Sequence, residues 1–226
     1  MKIHKLDWLD WLTFILCVWF LIYPHPYILL FTILLLLPII GLVLKGHSKP
    51  SFASLITITS GKDGGTDFET ADFIVLPALI LFLRMLIDFE IENYFDLLSK
   101  SAVAFIILLA ILRLFYRNVE KENRHKVLTY FVVLGNIAIY SFAAVYGINC
   151  VYDNSKPQVY QVPVIDKSIY RGKHTTYYLK VRSWNNKKDN EKISVVKDQY
   201  NNTNIGDTVN VDIKEGLLKS PWHFIE

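Results

Sequence analysis

The chain has 226 residues, a formal charge of +3, a mean hydropathy of +0.29 and a 52% hydrophobic composition. So small a charge, divided among loops, argues against a nucleic-acid partner. Two cysteines, Cys17 and Cys150, each in or beside an apolar run, supply neither a disulfide framework nor a metal-type spacing.

The apolar residues crowd into the first two thirds of the chain, in runs too continuous for the periodic faces of a soluble domain. Met1–Trp11 carries Lys2, Lys5, Asp7 and Asp10, with Trp8 and Trp11 one helical turn apart, the spacing of an interfacial aromatic anchor. The apolar run Leu12–Tyr23 follows without a small-residue cleavage site, so it reads as a retained span rather than a signal peptide. Pro24 and Pro26 break the helix. Spans are expected at about 8–23, 28–44, 73–89, 98–114 and 127–149, the second kinked near Pro38 and Gly41. Between the second and third, Phe52–Ile58 reads either as a surface-lying segment or as a short strand. The stretch Arg113–Lys126 is short and carries Arg113, Arg117, Lys121, Arg124 and Lys126, so it is expected in the cytoplasm. With five spans and the amino terminus inside, ten lysines and arginines fall on cytoplasmic segments and two, Arg84 and Lys100, on the outside.

After Cys150 the composition turns polar and alternates. Gln158–Asp166, Thr175–Trp184, Ile193–Val196, Thr208–Lys214 and Pro221–Ile225 read as five strands of a small barrel of the SH3 or OB kind. The expected architecture is therefore a five-helix membrane bundle, residues 1–150, followed by a small all-β barrel-like domain, residues 151–226. Tyr200–Val211, and within it Ile205-Gly-Asp-x-Val209-x-Val211, resembles the small β-domains appended to bacterial polytopic membrane proteins of uncharacterised families. The resemblance implies a bacterial inner-membrane protein and brings no catalytic residues with it.

Arg84 lies within the third span with Asp88 four residues on, hence on the same helical face. A charge in a span is a functional candidate, although an outward-reaching Arg84–Asp88 anchor is the simpler account. Asn136, Tyr140, Ala143 and Gly147 share one stripe of the fifth span, where small residues permit close helix packing and an amide finds a partner across the interface. Gly61–Thr66 lacks the order of a phosphate-binding loop, and no Gly-x-Ser-x-Gly elbow is present. His4, His25, His47, His125, His174 and His223 are scattered without a metal-binding pair. The acidic set Asp88, Glu90, Glu92 and Asp96 reads as a solvated outer loop, and the basic tips Arg171–His174 and Asn185–Lys188 as solubilising turns or contacts for anionic headgroups or a wall polymer.

No catalytic constellation, metal or cofactor is expected. The resulting reading is a non-enzymatic, multi-pass inner-membrane protein, with the amino terminus cytoplasmic and the β-domain extracytoplasmic. The bilayer surrounds it, and the β-domain binds a partner protein or envelope component, as an immunity or accessory protein would; oligomers are compatible with this. The competing reading is a small transporter or channel subunit using Arg84, Asp88 and Asn136.

Overall fold

Helices form where apolar residues run without a breaker, and they stop at prolines, glycines and charge. The computed structural model describes residues 7–46, 56–60, 66–70, 72–115, 126–172, 175–184 and 190–225. Five helices lie in the first two thirds: α1 (Asp7–Ile22), α2 (Tyr27–Gly46), α3 (Asp72–Asp88), α4 (Tyr94–Phe115) and α5 (Lys126–Val151). A short α6 (Lys197–Asn202) lies in the last third. Among the described residues only two stretches, Tyr94–Arg113 and Tyr130–Val151, are long and apolar enough to cross a membrane.

The expected five-span bundle is therefore corrected. The apolar stretches Trp8–Ile22 and Tyr27–Gly41 are too short to count as spans. At 1.5 Å per residue, about 15 residues reach only about 22 Å, against a hydrocarbon thickness of about 30 Å. The α3 helix has 17 residues, includes Pro77, and begins and ends on aspartate. Interfacial turns at the helix ends do not lengthen the apolar stretch. The charge count and the orientation built on five crossings lose their basis with them.

Two units divide the chain. The first comprises Met1–Asp88 and Asn93–Tyr152; the second comprises Phe89–Glu92 and Asp153–Glu226. The division falls two residues beyond the expected boundary at 150, and the second unit also takes in four residues from between α3 and α4.

In the helical unit, Phe20, Phe31, Leu34, Leu81, Met85, Leu97 and Tyr146 form the buried interior. Polar side chains there bond to their own helices: Thr13 Oγ1 donates to the Leu9 carbonyl, Ser101 Oγ to Leu97 and Ser141 Oγ to Ile137. Pro38 lies inside α2 and cannot donate to the preceding turn. The Tyr140 hydroxyl reaches from α5 to that turn and donates to the Leu35 carbonyl. Gly147 packs flat against the Phe31 ring, and a methyl group added there would collide with it, with the Met85 sulfur 3.0 Å away. The stretch Phe52–Ile58 is described only from Ile56 onward. There β1 (Ile56–Ser60) pairs antiparallel with β2 (Thr66–Thr70), which favours the strand reading for that part.

The second unit is one six-stranded antiparallel sheet in the order β3-β8-β7-β4-β5-β6, curled into a half-barrel. Its strands are β3 (Glu90–Ile91), β4 (Gln158–Arg171), β5 (Thr175–Val181), β6 (Glu191–Val195), β7 (Thr208–Lys214) and β8 (Trp222–Ile225). The curl has a local cause. The first half of β4 pairs with β7 and the second half with β5, and the register shifts between Val164 and Asp166. A bulge there bends the strand and raises its twist. Val162, Val164, Leu179, Val181, Trp184, Ile193, Val209 and Val211 fill the concave side. The closed five-strand barrel is thus corrected to an open sheet with an unforeseen sixth strand.

Two substitutions test the helical packing. Tyr140→Phe should lower stability by about 1–2 kcal/mol, because the hydrogen bond that ties α5 to the Leu35 carbonyl of α2 is lost. Gly147→Val should cost about 1–3 kcal/mol by displacing the Phe31 ring. Both would appear as lower apparent melting temperatures of the detergent-extracted protein.

Candidate functional site

Arg84 and Asp88 lie one turn apart at the end of α3, and the Nε–Oδ2 separation is 2.6 Å. The contact is an ion pair without hydrogen-bond alignment at Nε. Asp88 also accepts from the Tyr27 hydroxyl at 2.7 Å, and Arg84 Nη1 lies 3.4 Å from the Leu21 carbonyl. The pair therefore fastens α3 to the α1–α2 connection. Tyr27 is the partner that sequence reasoning missed, because a contact between residues 61 positions apart leaves no local pattern.

Asn136 lies elsewhere. Its Nδ2 donates to the Val132 carbonyl of its own helix at 2.8 Å. Gly147 packs beside Met85, the neighbour of Arg84, and Asn136 lies about 16 Å back along α5 from Gly147. Arg84, Asp88 and Asn136 do not converge. On the same stripe Ala143 is fully buried, while Tyr140 and Gly147 make the contacts described above.

The acidic segment after α3 is not a solvated loop. Asp96 pairs with Lys100 at 2.6 Å, and Asp88 with Arg84. Glu90 and Glu92 flank His223 of β8, with Nε2–Glu90 Oε2 at 3.0 Å and Nδ1–Glu92 Oε1 at 2.9 Å. The imidazole is only 10% exposed and meets the Trp184 ring edge-on, with centroids 5.1 Å apart. Glu90 and Ile91 pair with His223 and Trp222, the Glu92 amide donates to the Pro221 carbonyl at 3.0 Å, and Phe89 packs on Trp222. The sequence held one signal for this strand: Phe89-Glu-Ile-Glu92 alternates apolar and acidic residues.

Burial alone would lower the His223 pKa, but hydrogen bonds and charge from Glu90 and Glu92 outweigh it and raise the value to about 9. A second lock lies at Asp153, whose carboxylate accepts from the Ser155 amide (2.8 Å), the Gly216 amide (3.0 Å) and Trp222 Nε1 (2.9 Å). Burial opposes ionisation there, yet these donors hold its pKa below the usual carboxylate range. Gly216 has φ 76°, a conformation glycine tolerates, and this allows its amide to point at Asp153. Among the described residues, no three His, Cys, Asp or Glu side chains are grouped to hold a metal.

Comparison with protein-family models, with curated proteins and with solved structures finds no match to this chain.

Because the folded His223 value lies above the unfolded value of about 6.5, its contribution is fully present below about pH 6.5 and is lost as pH rises through about 9. The contribution is about 3 kcal/mol by that difference. His223→Gln should therefore flatten the loss of stability between about pH 7 and 9 that the wild type shows in detergent melts. NMR titration of the imidazole should give a midpoint near 9 in the wild type and a lower one in Glu92→Gln. Asp153 has the opposite sign. Its folded pKa is depressed, so its contribution is present above the unfolded value and is lost as pH falls through the folded one. Asp153→Ala should cost about 3 kcal/mol, because Trp222 Nε1 and the Gly216 amide lose their acceptor.

Proposed function

We propose that this protein is a non-enzymatic integral protein of a bacterial inner membrane whose β-unit binds a partner protein or envelope component. The helical unit is its anchor. One observation carries the membrane part: the outward surfaces of the helices are apolar. Ile15, Val18, Trp19 and Ile22 on α1, Ile33, Leu36 and Ile40 on α2, and Val103, Ile106, Ile107 and Ile111 on α4 are all exposed. Water does not tolerate so extensive an apolar surface on a monomer, whereas hydrocarbon does.

In this reading α4 and α5 cross as a hairpin and the basic stretch joining them stays in the cytoplasm. Both outer ends of the hairpin lead into the same folded unit, because Phe89–Glu92 precedes α4 and Asp153–Glu226 follows α5. A two-pass hairpin would have that connectivity, and with the basic stretch inside, this reading puts the β-unit on the extracytoplasmic side. The binding role is favoured because the β-unit has its own apolar core and exposes Tyr170 and Val196. The transport reading gains nothing from side chains spaced as Arg84 and Asn136 are.

Cys17 and Cys150 are buried, so replacing both with alanine clears the background for single-cysteine labelling. In that background, Asn202→Cys should react with a membrane-impermeant maleimide in intact spheroplasts, and Glu122→Cys only after permeabilisation. The reverse pattern overturns the orientation. A photocrosslinking residue at Tyr170 or Val196 should give discrete adducts in native membranes; none at any exposed β-unit position would overturn the binding role.

A further inference from the structure

After the bulge at Ile165, alternate residues of β4–β6 separate cleanly by face. Lys167, Leu179, Val181 and Ile193 turn inward, and the Lys167 ammonium donates to the Tyr200 and Thr203 carbonyls while lying over the Tyr200 ring. The opposite face holds Asp166, Ser168 and Tyr170 on β4, Thr176, Tyr178 and Lys180 on β5, and Lys192 and Ser194 on β6, with Arg182 just beyond β5.

The register places Lys180 directly opposite Lys192 and Tyr178 opposite Ser194. Like charges facing each other across neighbouring strands destabilise a sheet. Asp166 faces Lys180 from the other side, yet among the described residues none of Lys180, Arg182 and Lys192 forms an ion pair. Lys192 stands on the edge strand with no further strand beyond it. The carboxylate next to it in sequence, Glu191, accepts from Ser183 Oγ. One carboxylate opposite Lys180 does not balance three cations, and an anionic ligand would.

We propose that the outward face of β4–β6 docks a phosphodiester-linked polymer of the cell envelope, one with sugar or polyol units between its phosphates. This rests on the reading of the β-unit as an outward-facing binding module. Two features select that partner. Lys180 and Arg182 lie about 7 Å apart along the strand, a spacing that suits anionic groups separated by a spacer of several atoms better than a single headgroup. Between and beside the cations are hydroxyls and a tyrosine ring (Ser168, Thr176, Tyr178, Ser194), which bond and stack on hydroxylated units. A surface that inserts into a bilayer presents Leu, Phe or Trp instead.

The test uses the full chain in nanodiscs of zwitterionic lipid, with poly(glycerol phosphate) as probe and dextran, phosphatidylglycerol vesicles and a single-stranded oligonucleotide as comparators. Poly(glycerol phosphate) should bind, and binding should weaken as salt rises from about 50 to about 200 mM. The double variant Lys180→Glu/Lys192→Glu should weaken it by about ten-fold or more, at unchanged circular dichroism, while Lys192→Arg retains it. Absence of binding, indifference to charge reversal, or equal or stronger binding to the vesicles or the oligonucleotide would overturn the proposal. The labelling of Asn202→Cys separates the two levels. Outward labelling without polymer binding removes only the polymer, whereas labelling that requires permeabilisation removes the outward module and the polymer with it.

Discussion

A two-residue strand has too few ladder hydrogen bonds to hold itself against a sheet, so the place of Glu90 and Ile91 depends on what surrounds them. His223 supplies most of it. Buried between Glu90 and Glu92 and backed by Trp184, it keeps its proton and converts two carboxylates that would repel each other into a bound pair. Phe89 on Trp222 adds apolar contact, and Trp222 is in turn held by Asp153. Residues from three separate parts of the chain, 89–92, 153 and 222–223, thus depend on one another. Loss of the histidine proton or of the aspartate charge loosens them together.

The helical unit follows a different economy. In surroundings where exposed helix faces are apolar, every internal polar group must find a partner within the protein. The hydroxyls of Thr13, Ser101 and Ser141 bond back along their own helices, Tyr140 bonds across to the Leu35 carbonyl of α2, and Arg84 shares Asp88 with Tyr27. These groups stabilise and position helices. They are distributed over several levels of the helical unit and do not gather at one place.

Charge is also divided within the β-unit. Glu90 lies on β3, Glu92 just after it, Asp153 at the start of the unit and Asp212 on β7, whereas Lys180, Arg182 and Lys192 lie on or beside β5 and β6, with Asp166 and Glu191 on the neighbouring positions of β4 and β6. Glu90 and Glu92 are engaged with His223, and Asp153 with Trp222. Among the described residues, Lys180, Arg182 and Lys192 form no ion pair, although Asp166 faces Lys180 across the strands.

The alternation in Thr175–Val181 and Thr208–Lys214 was legible because a half-buried strand has a period of two wherever it lies. At the turn before β7, Gly206 has φ +96°, a conformation a side chain would strain, and its amide donates to the Val164 carbonyl. The Arg84–Asp88 pair followed from helical spacing alone. The sequence by itself thus determined the apolar helical part, the strands after Asp153 and the local pairings, because these depend on neighbours a few residues apart. Only the tertiary structure decided which helices are long enough to cross, that Phe89–Glu92 joins the sheet, that β4 bends between two partners, and that His223 meets two glutamates. Each of these depends on groups far apart in sequence, more than a hundred residues for Glu90 and His223, or on where a breaker ends a helix, and hydropathy records neither.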